Sequence, residues 1–228
     1  MHQISRANLD PHELRSAGTT WTNPVEASQP PGGVQCNSFW PKMVGTDVIM
    51  PCAGGTARST DGGLTWKLST TPINVAGTDV KSLGEMMAIA DGRTATSLTM
   101  MIRGGSTDGK FNHALAHSAD GGDTWGNASV VFVDGPTDQG SIGRDSTAAP
   151  GQVMLAAPAG GNFYLGRGNM VVYNLDESVP GANVAKKVNV WPQAAGYSDF
   201  AQLHGGPVLL LFEAGVKVYD QGIKISPV

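Results

Sequence analysis

Apolar residues occur along this chain in short runs that polar and turn-forming residues separate. The clearest runs are residues 48–50, 130–133 and 208–212. None of them continues at the three- and four-residue spacing of an amphipathic helix. Short apolar runs bounded by Gly, Pro, Asn and Asp are instead typical of β-strands. The pattern therefore predicts an all-β protein.

Turn signals divide the predicted strands into hairpins. We expect two or three strands within residues 34–66 and a hairpin over residues 86–103 that turns at Asp91-Gly92. Residues 197–213 form a second predicted hairpin. Further strands are predicted within residues 111–125, 152–158, 170–175 and 216–225.

An eight-residue motif occurs twice. Residues 59–66 read Ser-Thr-Asp-Gly-Gly-Leu-Thr-Trp, and residues 118–125 read Ser-Ala-Asp-Gly-Gly-Asp-Thr-Trp. Asp and Gly tolerate the positive φ angles of tight strand connections, and Trp anchors the returning strand in a core. We interpret the motif as structural rather than catalytic. Its shared positions include Ser59, Asp61, Gly63, Thr65 and Trp66 in the first repeat and Ser118, Asp120, Gly122, Thr124 and Trp125 in the second.

Partial copies of this motif lie on either side of the complete ones. Within residues 14–21, Gly18, Thr20 and Trp21 keep its end, and residues 174–176 keep its start. The three tryptophans of the pattern follow one another after 45 and 59 residues. One four-stranded propeller blade occupies such a length. The repeat predicts a β-propeller, with two coincidental hairpins in a β-sandwich as the alternative.

Composition is consistent with one domain rich in turns. The chain has 228 residues, of which 31 are Gly and 14 are Pro. This length suffices for a single domain with a substantial core. The net charge is −4 without a basic cluster, which argues against nucleic acid as a partner. No stretch is long and apolar enough to cross a membrane, and the first residues do not resemble a signal peptide, so the compartment stays open.

The cysteines and histidines indicate no metal site. Cys36 and Cys52 are 16 residues apart and could either pair across a hairpin or remain as buried thiols. His113 and His117 lie four residues apart on a predicted strand, which separates them by about 13 Å. The sequence therefore indicates neither a metal nor a cofactor.

Five charged or phenolic residues occupy predicted strand ends, where a plain β-scaffold does not need them. Singly, each has an ordinary structural explanation, such as an ion pair at a sheet end or a half-buried core phenol. Their order along the chain, between and after the repeats, is the informative feature. These residues are Glu85, Arg103, Arg167, Tyr197 and Glu213.

The repeated motif resembles the Asp box, or BNR repeat, Ser-x-Asp-x-Gly-x-Thr-Trp. With the five residues in this order, the chain resembles the catalytic part of exo-α-sialidases, or neuraminidases. This resemblance implies a six-bladed sialidase-type propeller, incomplete in this chain with about four to five blades. Residues 1–228 would form that single, partial domain. The matching segments are residues 83–103, 138–142, 154–158, 167–170, 195–199 and 211–213.

The resemblance also implies a role for each of the five residues. Tyr197 would be the nucleophile and Glu85 the base that activates it. Arg103 and Arg167 would be two of the three arginines that bind the sialic acid carboxylate. Glu213 would brace the first of the three, which is neither Arg103 nor Arg167. The partners would be sialylated glycans, namely glycoproteins, glycolipids and oligosaccharides, and no cofactor is needed.

Physical chemistry agrees with these roles. Guanidinium groups bind a carboxylate through charge-assisted, bidentate hydrogen bonds. A neutral phenol is not repelled by the anionic substrate as a carboxylate nucleophile would be, but its pKa near ~10 requires an adjacent base. The expected reaction is hydrolysis with retention through a tyrosyl-glycosyl intermediate.

Two elements of the family pattern have no counterpart here. The early arginine motif and the acid/base aspartate are not found, which predicts that an N-terminal part is missing and that the activity of this chain alone is doubtful. If an N-terminal part is missing, a secreted or lysosome-like location would be compatible with this sequence. Trans-sialidases share the same residues and remain an alternative activity.

Two other functional classes remain as alternatives. A non-catalytic Asp-box propeller would bind glycans or act as a scaffold, without a reason to keep the five residues. A glycosidase with two carboxylates would have to use Glu85 and Glu213. The sialidase hypothesis predicts that Arg103, Arg167, Tyr197 and Glu85 converge in one pocket. Asp61 and Asp120 should lie at the surface away from it.

Overall fold

A computed structural model describes part of the chain as a succession of antiparallel sheets. The described residues are 36, 41–52, 54–71, 73, 87–91, 96–103, 113–131, 135, 140–145, 152–176, 183–202 and 206–228. Among them, the helical segments are two 3₁₀ turns, Tyr164–Gly166 and Tyr219–Gln221. The all-β prediction is confirmed.

Three sheets follow one another in this part of the chain, and each strand pairs with its neighbours in sequence. The first sheet consists of β1 (Lys42–Val44), β2 (Asp47–Cys52), β3 (Gly55–Ser59) and β4 (Lys67–Leu68). The second consists of β5 (Met87–Asp91), β6 (Leu98–Arg103), β7 (His113–Ser118) and β8 (Ser129–Val131). The third consists of β9 (Ser141–Gly143), β10 (Gln152–Pro158), β11 (Gly168–Asp176), β12 (Asn183–Gln202), β13 (Val208–Gly215) and β14 (Gly222–Pro227). Meandering four-stranded sheets of this kind are the units of β-propellers.

The sheets pack face to face through apolar side chains. Met100 of β6 belongs to one buried cluster with Ile49 of β2, whereas its neighbour Met101 belongs to another with Leu155 of β10. Successive residues of a strand point to opposite faces, so the second sheet is covered on both sides. This explains why β6 is buried at every position from Leu98 to Ile102 rather than at alternate positions.

The two repeats fold into hydrogen-bonded turns of the same design. In the first, the Thr65 hydroxyl and N–H donate to the Asp61 carboxylate at 2.7 and 2.9 Å, and the Gly63 N–H donates to Ser59 Oγ at 2.7 Å. The hydrogen bonds that Asp61 accepts, chiefly that from the Thr65 hydroxyl, lower its pKa to about 2. Gly63 has φ +92°, a conformation that favours glycine.

The second repeat reproduces this network. Its Thr124 hydroxyl and N–H donate to Asp120 at 2.5 and 2.9 Å, and the Gly122 N–H donates to Ser118 Oγ at 2.8 Å. Desolvation of the carboxylate raises the pKa of Asp120, but hydrogen bonds from Thr124 and Ser118 outweigh that effect, and the net pKa is lowered. As predicted, Asp120 is exposed and Asp61 is partly exposed. Both turns thus depend on an ionised aspartate.

The turn of the second repeat also forms hydrogen bonds with the first sheet. The buried Thr56 hydroxyl, on β3, donates to the Gly122 carbonyl at 2.7 Å and accepts from the Trp125 indole N–H at 3.1 Å. Beside it, Arg58 donates to Asp47 at 2.5 Å and to the Asp120 carbonyl at 3.3 Å. These bonds fix the second sheet against the first.

Several local predictions can be compared with the structure. The hairpin over residues 86–103 is confirmed as β5 and β6, but its turn begins later than predicted, because Asp91 pairs with Leu98 inside the ladder. The strand predicted over residues 216–225 begins only at Gly222, since residues 216–221 turn before it. Cys36 and Cys52 form a disulfide, which settles the alternative that the sequence left open.

The partial copies of the motif remain predictions. Residues 174–176 are the last three residues of β11. Gly18, Thr20 and Trp21 lie outside the described residues. The assignment of residues 1–228 to a single domain likewise stays a prediction.

Candidate active site

Tyr197 lies at a bulge in the longest strand. Along the ladder between β12 and β13, Ala195 pairs with Ala214 and Ser198 pairs with Phe212. Two residues, Gly196 and Tyr197, therefore lie opposite the single residue Glu213. Such a bulge interrupts the ladder and changes the direction of a side chain. The regular alternation of β12 thus does not determine where the Tyr197 phenol lies.

Glu213 stabilises this bulge. Its Oε2 accepts a hydrogen bond from the Tyr197 backbone N–H at 3.1 Å. Its carboxylate thereby binds a donor at the position where the ladder is interrupted. A Cβ atom at Gly196 would clash with the same Oε2 and would lie 2.7 Å from Tyr219 Cδ2. The site therefore requires glycine next to the tyrosine.

Arg167 contacts the Tyr197 ring. Its guanidinium carbon lies 5.2 Å from the centre of that ring, within the range of cation–π interaction. The backbone of Arg167 is tied on both sides, since its N–H donates to the Tyr164 carbonyl and its carbonyl accepts from the Ala195 N–H. This loop before β11 therefore holds Arg167 against the bulge of β12. Arg167, Tyr197 and Glu213 lie together, each partly buried.

A second phenol, Tyr219, belongs to the same cluster and was not predicted. Its ring centre lies 5.0 Å from the guanidinium carbon of Arg167. It lies in the 3₁₀ turn that replaces the expected start of the last strand. The sequence offers only the weak signal that an aromatic residue follows Glu213 by six positions.

The other two predicted site residues are Arg103 and Glu85. Arg103 is the last residue of β6, where it pairs with the fully buried His113 of β7. The strand-end position of Arg103 is thus confirmed, but its convergence with Arg167 stays a prediction. Glu85 precedes β5 and lies outside the described residues.

The cluster combines a fixed cation, a phenol and a carboxylate at one end of the third sheet. It can bind a small anion through Arg167 and present the Tyr197 hydroxyl beside it. In the part of the chain that the structure describes, no group of three or more His, Cys, Asp or Glu side chains could hold a metal ion. Within the same residues, no helix has the length and apolar character of a membrane span.

Comparison with solved structures shows which fold this is. NanB sialidase from Streptococcus pneumoniae has 19% sequence identity and a TM-score of 0.66, over 92% of this chain and 33% of its own. The intramolecular trans-sialidase from Ruminococcus gnavus has 18% identity and a TM-score of 0.57, over 82% and 43%. An exo-β-1,3-galactanase from Phanerochaete chrysosporium has 15% identity and a TM-score of 0.57, over 87% and 47%.

These similarities establish the fold and not the reaction. The predicted sialidase-type propeller is confirmed, and it is a fold that glycoside hydrolases use. The described strands account for part of the predicted blades. The chain spans about a third to a half of the length of these matched proteins. No protein-family model and no curated protein matches the chain.

Proposed function

We propose that this chain is an exo-α-sialidase-like glycoside hydrolase that removes terminal sialic acid from glycoconjugates with retention of configuration. The observation that supports the proposal is the contact of Arg167 with the Tyr197 ring, at a bulge that Glu213 stabilises. Residues 59–66 and 118–125 would be its Asp boxes. Glycoproteins, glycolipids and sialylated oligosaccharides would be its substrates.

The proposed mechanism begins with the substrate carboxylate. Arg167 and Arg103 would bind it through charge-assisted hydrogen bonds, each contributing about 1.5–3 kcal/mol. This would place the anomeric carbon beside the Tyr197 hydroxyl. The phenol oxygen would attack that carbon while Glu85 takes its proton, and the leaving sugar would depart as an alcohol with a proton from water. Water would then hydrolyse the glycosyl-tyrosine bond, which gives retention overall.

In this scheme, Glu213 would position the backbone of Tyr197. Because it binds the backbone of Tyr197 rather than its hydroxyl, we assign it to fixing the bulge and not to proton transfer. A mechanism with Glu213 as one of two catalytic carboxylates would require it to face the substrate instead.

The test is the release of 4-methylumbelliferone from its α-N-acetylneuraminide. We expect release by the unmodified chain and only background release by Tyr197→Phe. The matched control is Tyr173→Phe, which changes a buried tyrosine of β11 in a different core cluster and should retain activity. Arg167→Ala should raise KM roughly 10- to 150-fold, the loss of one charge-assisted hydrogen bond. Proton NMR of the first-formed product should show the α-anomer.

Other results would reject the proposal and indicate an alternative. Activity unchanged in Tyr197→Phe would exclude the tyrosine nucleophile. Release from a β-galactoside in place of the sialoside would favour a carboxylate-based glycosidase. If nothing is hydrolysed but sialyllactose binds and Arg167→Ala abolishes that binding, the chain is a non-catalytic glycan-binding propeller.

A further inference from the structure

We propose that Tyr219 is a positioning residue that holds the Arg167 guanidinium in its place beside Tyr197. This inference rests on the proposed function for its meaning, because Arg167 is the group that would bind the substrate carboxylate. Its physical basis is independent of the reaction. Tyr219 lies 5.0 Å from the guanidinium carbon of Arg167, as close as Tyr197 does.

The segment that carries Tyr219 is closed by its own hydrogen bonds. The Val216 N–H donates to Gln221 Oε1 at 2.6 Å, across the turn that contains Tyr219. A Cβ atom at Gly215 would lie 2.6 Å from the same Oε1, so glycine is needed where this turn leaves β13. The turn is thus short and closed, and it limits where the Tyr219 ring can move.

The same turn is connected to the loop that carries Arg167. The Tyr164 N–H donates to the Lys217 carbonyl at 3.5 Å, and the Tyr164 ring lies 6.3 Å from the Tyr219 ring. On the other side, the Tyr219 ring approaches Gly196, the residue before Tyr197. The Tyr219 ring therefore contacts both the loop that carries Arg167 and the bulge that carries Tyr197, and it keeps these two residues at a fixed distance.

An arginine side chain has several rotatable bonds, so a guanidinium that binds an anion must be oriented before the anion arrives. Ordering such a side chain at the moment of binding would weaken the complex. A ring at cation–π distance removes part of this cost, and its contact with the face of the guanidinium does not use an N–H group as donor. The role of Tyr219 should therefore depend on its ring and not on its hydroxyl.

The test compares Tyr219→Phe, which keeps the ring, with Tyr219→Leu, which removes it. The first measurement is the ¹H–¹⁵N signal of the Arg167 Nε–H group, assigned by its loss in Arg167→Lys. This signal should keep its ring-current shift in Tyr219→Phe and move towards the position of an exposed arginine in Tyr219→Leu. Ile225→Ala is the control, because Ile225 is 62% exposed on β14 and pairs with Leu211, not with a residue of this cluster.

The second measurement is binding and turnover of the sialoside. Tyr219→Leu should weaken binding of N-acetylneuraminic acid and raise KM about fivefold, the value of one exposed cation–π contact, with little change in kcat. Tyr219→Phe should remain within about twofold of the unmodified chain. Thermal unfolding of each variant separates this effect from general destabilisation, which would affect kcat as well.

The two measurements distinguish the failure of this inference from the failure of the proposed function. If the unmodified chain neither binds nor cleaves the sialoside, but the Arg167 signal moves in Tyr219→Leu only, the function is rejected and the positioning contact stands. The inference is overturned if the signal is unchanged in Tyr219→Leu, or if Ile225→Ala shifts it equally. A loss in Tyr219→Phe as large as in Tyr219→Leu would also overturn it, because the hydroxyl would then be the essential group.

Discussion

Thr56 joins two sheets through a single hydroxyl group, and Thr56→Val removes that group while nearly preserving the side-chain shape. The substitution deprives the Gly122 carbonyl and the Trp125 indole N–H of this partner, at positions that are buried. A buried polar group that loses its partner costs about 1–3 kcal/mol. With two groups affected, we expect Thr56→Val to lower the free energy of unfolding by about 2–4 kcal/mol.

Two variants serve as controls for this experiment. Thr70→Val makes the same chemical change at an exposed residue whose hydroxyl donates to the Asp123 carbonyl at 3.2 Å. Water can replace that bond, so the change should stay within about 0.5 kcal/mol. Thr56→Ser keeps the hydroxyl and loses only a buried methyl group, which should cost about 1 kcal/mol.

Urea unfolding followed by circular dichroism measures all three variants. For a chain of this size, a loss of about 3 kcal/mol should also lower Tm by roughly 6–12 °C. The hydroxyl would not connect the sheets as described if Thr56→Val were no less stable than Thr70→Val. A loss as large in Thr56→Ser as in Thr56→Val would show that packing, and not hydrogen bonding, accounts for the effect.

Two other predictions concern the turns and the bulge. Because hydrogen bonds lower the pKa of Asp61 to about 2 and also lower that of Asp120, their stabilising contribution is complete above about pH 4 and is lost as the pH falls towards 2. Urea unfolding at pH 7, 4 and 2.5 should show this loss, and Asp61→Asn with Asp120→Asn should reduce it; an unchanged pH dependence in that double variant would contradict the assignment. Gly196→Ala places a methyl group against Glu213 and Tyr219 and should lower the free energy of unfolding by about 1–3 kcal/mol. It should also abolish the proposed sialoside cleavage. Gly126→Ala, whose Cβ would lie an ordinary 3.6 Å from its nearest neighbour, is the control, and equal losses in both variants would refute the steric explanation.

Local patterns were enough to predict much of this fold. The Asp-Gly turns are recognisable because their bonding is contained within eight residues, from Ser59 to Trp66. The strand predicted at residues 152–158 has the observed bounds of β10, since its apolar run is bounded by polar and turn-forming residues. Helical spacing is also a local property of the sequence, so its absence was enough to indicate an all-β chain.

The features that shape the candidate site depend on pairing between distant strands. The bulge at Gly196 and Tyr197 follows the point where the pairing of β12 with β11 ends and its pairing with β13 begins, and a sequence does not show where this occurs. The contact of Tyr219 with Arg167 joins residues 52 positions apart through two loops. Residue types could suggest Arg167, Tyr197 and Glu213, but the position of Tyr219 required coordinates.

The order of strands also has a consequence for how the chain folds. Every described strand pairs with a neighbour in sequence, so each sheet can form from a local stretch at low entropic cost of loop closure. The Thr56 bonds are different, because their partners Gly122 and Trp125 follow 66 and 69 residues later. During synthesis, the first sheet is therefore made well before the turn that completes its hydrogen bonding. The Thr56 hydroxyl must stay hydrated until then, and its burial marks the step at which two separately formed sheets become one cooperative unit.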